Sequence, residues 1–254
     1  MSEKELQDVI IKNWTDAAKG YSDAVRNELN SSQRDEWVKL IFASHKPKQR
    51  LKILDVGCGP GFFSILMAQE GHQVTGIDAT EEMIKYAKMN AERWQVNPEF
   101  YVMDSHHTKF DDDSFDLIIS RNVTWTLSDP EAAYRDWLRI LKPDGTMIAF
   151  DANWNHHLFD EEQNVRYQQD VLDYEKTFGK KAEHYHGKSK EEGEAYRRQM
   201  PMNQVIRPQW DFPVLIDSGY RKITVDLDVS PKVYCEEKQC LNRSRPMFMI
   251  RAIK

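Results

Sequence analysis

The sequence predicts an α/β fold in which parallel strands alternate with helices. Between residues 51 and 151, five apolar runs of strand length are separated by segments with helical patterns. This alternation is typical of a parallel sheet with helices on both faces. The first run ends in a glycine-rich turn and the second ends in an acid, so both features stand where open α/β sheets bind their ligands.

The most informative stretch is the segment Leu51–Gly61, with the sequence LKILDVGCGPG. Its first half predicts a short buried strand, and an apolar helix is predicted over residues 62–69. Three glycines crowd the turn between them, namely Gly57, Gly59 and Gly61. A strand, a glycine turn and a helix in this order bring backbone N–H groups and the helix start close to a bound ligand.

An acid at the end of the second strand, Asp78, predicts a nucleoside-bearing cofactor. A carboxylate at this place can accept hydrogen bonds from both hydroxyls of a ribose. A dinucleotide fold requires G-x-G-x-x-G with the last glycine inside the helix, but Phe62 occupies that position. Asp55 adds a negative charge before the turn, which suits a cationic amino group better than a pyrophosphate. The glycine pattern therefore disfavours a nicotinamide-dependent oxidoreductase.

The remaining elements follow in order. Thr80 is expected to cap the helix after the second strand, and Pro130 suits the first position of a later helix. A turn is predicted over residues 141–145. Further strands are predicted over residues 100–104, 115–120, 146–150, 220–229 and 247–253.

The motif D-V-G-C-G-P-G resembles motif I of the class I S-adenosylmethionine (SAM)-dependent methyltransferases, and residues 51–151 resemble the small-molecule "type 11" branch of that family. The resemblance implies a Rossmann-like, seven-stranded, mostly parallel sheet whose last two strands form an antiparallel hairpin at one edge. It also implies a single domain over residues 1–254. Its parts are an N-terminal helical cap (1–50), a SAM-binding core (51–151), a helical lid insertion (152–209), and a C-terminal helix with the edge hairpin (210–254). The alternative to a lid is a pair of solvated helices that decorate the sheet.

The resemblance also implies the cofactor site. Asp55 and the glycine turn should hold the methionine end, Asp78 the ribose, and Asp104 the adenine edge. Instead of contacting the cofactor, Met83 and Tyr21 could pack in the hydrophobic core, and Arg121 could be an exposed charge at the surface. The implied cofactor-binding residues are Tyr21, Asp55, Gly57, Cys58, Gly59, Asp78, Ala79, Met83, Asp104, Ser105 and Arg121.

The implied reaction is an in-line displacement at a sulfonium methyl, to which positioning and water exclusion contribute most. A base is needed only for an acceptor that keeps its proton at neutral pH. The candidate bases are His107, His156 and His157, against the alternative of solvated loops. Asn122 and Trp125 follow the fourth strand and are candidates for acceptor binding. Trp125 offers an apolar wall or a cation–π surface, unless it is buried under the next helix.

No metal site is expected. His106 is interpreted as part of a solvated loop beside its neighbour. His184 and His186 could share one face of an extended segment, but no further ligands accompany them. Cys235 and Cys240 are interpreted as free thiols in a loop.

The chain is therefore expected to move the methyl group of SAM to an N, O or S atom of a small molecule, giving S-adenosylhomocysteine (SAH). The alternatives are a non-catalytic SAM-binding or scaffold protein and, less favoured, a nicotinamide-dependent oxidoreductase. A net charge of -6 argues against a nucleic-acid substrate. No run of roughly 18 apolar residues predicts a membrane span, and three cysteines fit a reducing cytoplasm. A monomer and a homodimer are both compatible with the sequence, and no motif identifies the acceptor.

Overall fold

A seven-stranded mixed sheet forms the centre of the computed structural model, which describes residues 3–42, 49–182 and 190–254. The strand order within these residues is β3-β2-β1-β4-β5-β7-β6, and β7 is antiparallel to both of its neighbours. The strands are β1 (Lys52–Val56), β2 (Gln73–Asp78), β3 (Glu99–Val102), β4 (Phe115–Arg121), β5 (Leu141–Asp151), β6 (Lys222–Asp226) and β7 (Phe248–Ile253). The predicted fold class is confirmed.

Helices cover both faces of the sheet and its carboxyl end. None of those in the described residues combines the length and the apolarity needed to cross a membrane. The helices are α1 (Glu3–Leu29), α2 (Arg34–Ile41), α3 (Phe62–Gln69), α4 (Glu81–Arg93), α5 (Pro130–Ile140), α6 (Glu161–Phe178), α7 (Lys190–Arg197), α8 (Asp211–Ser218), α9 (Ser230–Val233) and α10 (Glu236–Leu241).

The core consists of two layers because successive strand residues point to opposite faces of the sheet. On one face, Ile53 and Ile119 pack with Trp37 of α2 and the apolar side of α3. On the other face, Leu54 and Ile118 pack with the aromatic residues of α5. The strands of the core are buried on both sides, which explains their continuous apolar sequences.

Local structure agrees with the sequence at some positions and corrects it at others. Asp129 caps α5 by accepting a hydrogen bond from the Ala132 N–H, and Pro130 begins the helix, as predicted. Thr80 stands at the N-cap of α4, but its side chain makes no capping hydrogen bond to the helix, so the predicted cap is wrong. Its backbone N–H donates to the Asp78 carboxylate instead.

Two boundaries near the end of the sheet also differ from the prediction. β5 already begins at Leu141, and residues 142–145 are looped out of its pairing with β4, so the predicted turn lies inside the strand. β6 is shorter than the predicted strand 220–229. The segment between β6 and β7 was expected to be a loop, but it contains α9 and α10, with Cys240 inside α10.

The N-terminal helix and the insertion are attached to the sheet by specific polar contacts. Asn90 of α4 donates a hydrogen bond to the Ser22 hydroxyl of α1 over 3.1 Å. The insertion contains α6 and α7, as expected for a helical segment, and it leads into Arg207 before α8. His184 and His186 lie outside the described residues.

Arg207 joins the end of the insertion to the end of β5 through a buried ionic network. Its guanidinium donates to Asp151 over 3.0 Å and to both oxygens of Asp211 over 2.6 and 2.9 Å. The Tyr134 hydroxyl donates to the same Asp211 carboxylate over 2.6 Å. Because one cation lies between two buried carboxylates, removing it leaves uncompensated negative charge.

We therefore expect Arg207→Met to lower the free energy of unfolding by about 3–5 kcal/mol, measured by urea denaturation. The matched control is Arg221→Met, which breaks an ion pair with Asp144 in which the arginine side chain is 63% exposed. The control should cost less than about 1 kcal/mol. Equal small losses in both variants would contradict the structural importance of the Arg207 network.

Candidate active site

The glycine turn after β1 brings three separate parts of the chain together. Gly57 has φ +61°, a left-handed conformation that favours glycine. A Cβ at Gly57 would lie 2.3 Å from the side chain of Val123, which follows β4. A Cβ at Gly59 would lie 3.5 Å from the ring of Tyr21 on α1. The turn is therefore closely packed between the end of β4 and the N-terminal helix.

Asp78 fixes the turn from the end of β2. One carboxylate oxygen accepts a hydrogen bond from the Gly59 N–H over 3.0 Å, and the other accepts from the Thr80 N–H over 2.9 Å. Burial raises the pKa of Asp78, although these two N–H groups act against the shift. Each oxygen keeps a lone pair, so the carboxylate can still accept hydrogen bonds from a ligand.

Beside Asp78 lies a cavity of about 80 Å³, which we call the turn cavity. Eight of the eleven predicted cofactor residues line it, although they come from six separate parts of the chain. These residues are Tyr21, Gly57, Gly59, Asp78, Ala79, Met83, Ser105 and Arg121.

Asp55 and Cys58 lie behind the glycine turn and line a small neighbouring cavity of about 20 Å³. One Asp55 oxygen accepts hydrogen bonds from the Ser64 N–H over 2.8 Å and the Ser64 hydroxyl over 2.6 Å. Asp55 thus stabilises the first turn of α3. Burial raises its pKa to about 7, so Asp55 is not the fixed negative charge that the sequence argument assumed.

The third predicted acid, Asp104, is also turned away from the turn cavity. Its carboxylate lies 2.6 Å from Nδ1 of His106 and accepts the His106 backbone N–H over 2.9 Å. These contacts with His106 hold the pKa of Asp104 below its usual value, and the contact with the imidazole ring has the largest effect. His106 lines the turn cavity beside Ser105 and is buried, so its interpretation as part of a solvated loop is wrong.

Arg121 is buried at the end of β4, which excludes the alternative of a surface charge. Its guanidinium donates to Glu28 of α1 over 2.6 Å and lies 4.1 Å from the ring centre of Phe62. Burial raises the pKa of Glu28, but the charges of Arg121 and Lys238 together with hydrogen bonds from Arg121 and Trp37 outweigh burial, so the pKa is lowered. This ion pair attaches the N-terminal helix to the sheet beside the glycine turn.

A second cavity of about 370 Å³ adjoins the turn cavity, and we call it the aromatic cavity. Trp14, Tyr21, Arg121 and Asn122 line both cavities. The aromatic cavity is enclosed by α1, the segment after β4, the insertion and α10. Its aromatic lining consists of Trp14, Tyr21, Trp125, Trp154, Tyr167, Tyr196 and Tyr234.

Asn122 stands at the junction of the two cavities in a strained conformation. Its φ of +59° lies in the left-handed region, and its backbone N–H donates to the Phe150 carbonyl over 2.9 Å. Its side-chain oxygen is buried and has no hydrogen-bond partner among the described residues. An unsatisfied buried acceptor costs about 1–3 kcal/mol, and such strain clusters at functional sites. The oxygen is therefore available to a hydrogen-bond donor of a ligand.

Comparison with known proteins finds a family that the core of the chain resembles. Residues 54–149 match the protein family described as "Methyltransferase domain". The match covers 96 of the 254 residues of the chain. A ubiquinone biosynthesis O-methyltransferase of Coxiella burnetii is 33% identical over 103 residues, which are 41% of this chain and 44% of that protein. The chain spans about half the length of the curated relatives it matches.

Two solved structures share the architecture of this chain. The phosphoethanolamine N-methyltransferase 2 of Haemonchus contortus, in complex with phosphomonomethylethanolamine and SAH, has a TM-score of 0.60 at 16% identity, covering 87% of this chain and 52% of that chain. The [4+2]-cyclase SpnF has a TM-score of 0.59 at 16% identity, covering 87% and 80%. At these identities the likeness shows the fold alone.

The three candidate bases do not line either cavity. His107 is exposed. Nδ1 of His156 lies 3.1 Å from the Asn203 carbonyl oxygen, and the His157 ring stacks on Tyr167 with 4.0 Å between ring centres. His157 lines a separate surface cleft. The structure therefore does not bring the three predicted bases to the site.

Sequence reasoning missed Asp151, which positions the walls of the aromatic cavity. One of its oxygens accepts hydrogen bonds from the Thr124 hydroxyl over 2.6 Å and the Trp125 N–H over 2.9 Å. The other accepts from the indole N–H of Trp154 over 2.9 Å. The available signal was an acid at the carboxyl end of a strand, the same signal that identified Asp78. Glu28 carries no such signal, because its partner Arg121 is distant in sequence.

We expect Asp78→Ala to weaken SAH binding by about 100-fold, because two charge-assisted hydrogen bonds are worth about 1.5 kcal/mol each or more. The measurement is calorimetric titration, with thermal unfolding to confirm that the variant folds. Asp217→Ala, an exposed acid on α8, is the control and should bind SAH normally. Unchanged affinity of Asp78→Ala would show that Asp78 does not hold the ribose.

Proposed function

We propose that the protein is a methyltransferase that moves the methyl group of SAM to a nucleophilic N, O or S atom of a small-molecule acceptor, giving SAH. The observation that carries this proposal is the junction of the turn cavity and the aromatic cavity at Tyr21, Arg121 and Asn122. Methyl transfer needs donor and acceptor to meet in a fixed orientation away from water. Two adjoining cavities with shared walls supply a place for each.

The proposed cofactor contacts follow from the lining of the turn cavity. Asp78 would hold the ribose, Met83 would pack on the adenine face, and Ser105 with His106 would form the adenine edge. The backbone of the glycine turn would hold the methionine end. Asp55 would act indirectly, because its hydrogen bonds to Ser64 position the turn and the start of α3.

The proposed lid consists of the N-terminal helix and the insertion. α1 contributes Trp14 and Tyr21 to the aromatic cavity, and the insertion contributes Trp154, Tyr167 and Tyr196. These contributions support a lid over the sheet rather than decoration of its surface, since the cavity would have no outer wall without them. The same walls would keep water from the reacting atoms.

The proposed mechanism depends on positioning. When bound, SAM would supply a methyl group on a positively charged sulfur. The acceptor atom would attack the methyl carbon in line with the carbon–sulfur bond, and the sulfur would leave as part of SAH. The Asn122 oxygen would accept a hydrogen bond from the N–H or O–H of the acceptor and direct its lone pair toward the methyl carbon. Tyr21 and Arg121, which line both cavities, would hold donor and acceptor in contact. An amine or a thiol reacts this way with little help from a base.

A second candidate is a SAM-binding protein that does not transfer the methyl group. The likeness to the [4+2]-cyclase SpnF favours keeping it, because one fold hosts different chemistries. A nicotinamide-dependent oxidoreductase has less support, because Phe62 occupies the place of the third glycine of a dinucleotide motif. Its side chain is buried there against Arg121.

The proposal is tested by titrating the protein with SAM, SAH and NAD, followed by an assay of SAH release with thiols, amines and phenols. We expect SAM and SAH to bind at micromolar concentrations, no heat from NAD, and turnover with one acceptor class. Binding of NAD alone would contradict the proposal. Binding of SAH without transfer to any acceptor would favour the second candidate.

We expect Asn122→Gly to lower kcat about fivefold while the KM for SAM stays nearly constant, since a lost hydrogen bond is worth about 1 kcal/mol. Glycine keeps the left-handed backbone, so the change removes the side chain without adding strain. Asn122→Asp keeps a hydrogen-bond acceptor and is the matched control. An unchanged kcat in Asn122→Gly would show that Asn122 does not direct the acceptor.

A further inference from the structure

Arg245 is a buried cation in the wall of the aromatic cavity. Only 9% of the residue is exposed, and it lies just before β7. Its terminal nitrogens donate to the Trp154 carbonyl over 3.0 Å, the Leu241 carbonyl over 3.4 Å and the Asn242 side-chain oxygen over 3.0 Å. Its Nε is buried and has no hydrogen-bond partner in the described part of the chain. Since a guanidinium has five N–H groups, two remain for a ligand.

The charge of Arg245 also has no counter-ion. None of the described carboxylates lies within 4.0 Å of its nitrogens, whereas nearby Arg243 pairs with both Asp170 and Asp173. Carbonyl oxygens satisfy hydrogen bonds but leave the charge uncompensated, and buried charges are almost always paired. Burial lowers the pKa of Arg245, and the nearby positive charge of Arg197 acts in the same direction.

The surroundings of Arg245 are positive although the chain as a whole is acidic. The charged residues that line the aromatic cavity are Arg121, Arg197, Lys238 and Arg245 on the positive side and Glu28 on the negative side. The Glu28 charge is engaged by Arg121 over 2.6 Å. This balance contrasts with the net charge of -6 for the protein. A cavity lined by one sign of charge attracts ligands of the opposite sign.

We propose that the aromatic cavity binds an acceptor with an anionic group, a carboxylate or a phosphate, which pairs with the guanidinium of Arg245. This inference rests on the proposed function and narrows the acceptor class. The remaining N–H groups of Arg245 match an oxyanion. The aromatic walls would pack against an apolar or planar body, and the atom to be methylated would lie at the Asn122 end. A purely structural role accounts for the three hydrogen bonds of Arg245 and for its position 4.4 Å from the ring centre of Tyr167, but it leaves the buried charge without a carboxylate partner.

The experiment measures the binding of two probes that differ in charge, indole-3-acetate and neutral indole-3-acetamide, by calorimetry on the SAH-saturated protein. We expect the acid to bind at least about tenfold more tightly than the amide, which corresponds to about 1.4 kcal/mol. Phenyl phosphate against phenol forms a second pair, and the pair with the larger ratio distinguishes carboxylate from phosphate recognition. Equal binding of charged and neutral members in both pairs, or no binding of either anion at millimolar concentration, would overturn the inference.

Variants assign the preference to Arg245. Arg245→Gln should abolish the preference for the acid while the affinities for the amide and for SAH stay the same. The control is Arg243→Gln. It removes a positive charge two positions before Arg245, at a residue that does not line the cavity, and it should keep the preference. Persistence of the preference in Arg245→Gln would overturn the assignment. If thermal unfolding shows that Arg245→Gln does not fold, the acid-to-amide ratio of the unaltered protein decides the question.

The same titrations separate this inference from the proposed function. If SAH does not bind, the methyltransferase proposal fails, and the probe pairs are then measured on the protein without SAH. An acid preference there would leave the anion site standing alone. If SAH binds and methyl transfer occurs without any preference for charged probes, only the anion site is refuted.

Discussion

The carboxylate of Asp151 holds the walls of the aromatic cavity in relation to the sheet. It ends β5 and accepts hydrogen bonds from Trp125, from Trp154 and from the guanidinium of Arg207. These partners belong to the segment after β4, the start of the insertion and its end. Because a buried charge that loses its partners costs several kcal/mol, the three segments cannot move independently. The aromatic cavity therefore has a fixed relation to the carboxyl ends of the strands.

The rest of the site is built by attaching variable segments to this rigid sheet. The ion pair between Glu28 and Arg121 attaches the N-terminal helix beside the glycine turn. The network of Arg207 and Asp211 attaches the far end of the insertion. The first attachment lies beside both cavities, whereas the second is fully buried and packs against Phe248 of the core. The cavity walls are therefore supplied by segments that the sheet holds in place.

Residues that act within one strand, turn and helix were predictable. The strands, the glycine turn and the position of Asp78 depend on periodicity and on the place of a residue at a strand end, which are local properties. Side-chain direction was harder to predict. Asp55 and Asp104 also stand at strand ends, yet each carboxylate turns to a nearby partner, Ser64 or His106. A spacing pattern does not contain those choices, because they depend on which donor lies closest in the folded chain.

The amino-acid sequence was sufficient for the fold class and the family resemblance, because both are encoded by contiguous motifs, and it singled out eight residues that line the turn cavity. The folded chain was needed for the aromatic cavity, whose walls come from both ends of the chain and from the insertion. It was also needed to find the unsatisfied oxygen of Asn122 and the unpaired charge of Arg245. A buried group lacks a partner only in relation to everything packed around it, and that relation exists only after folding.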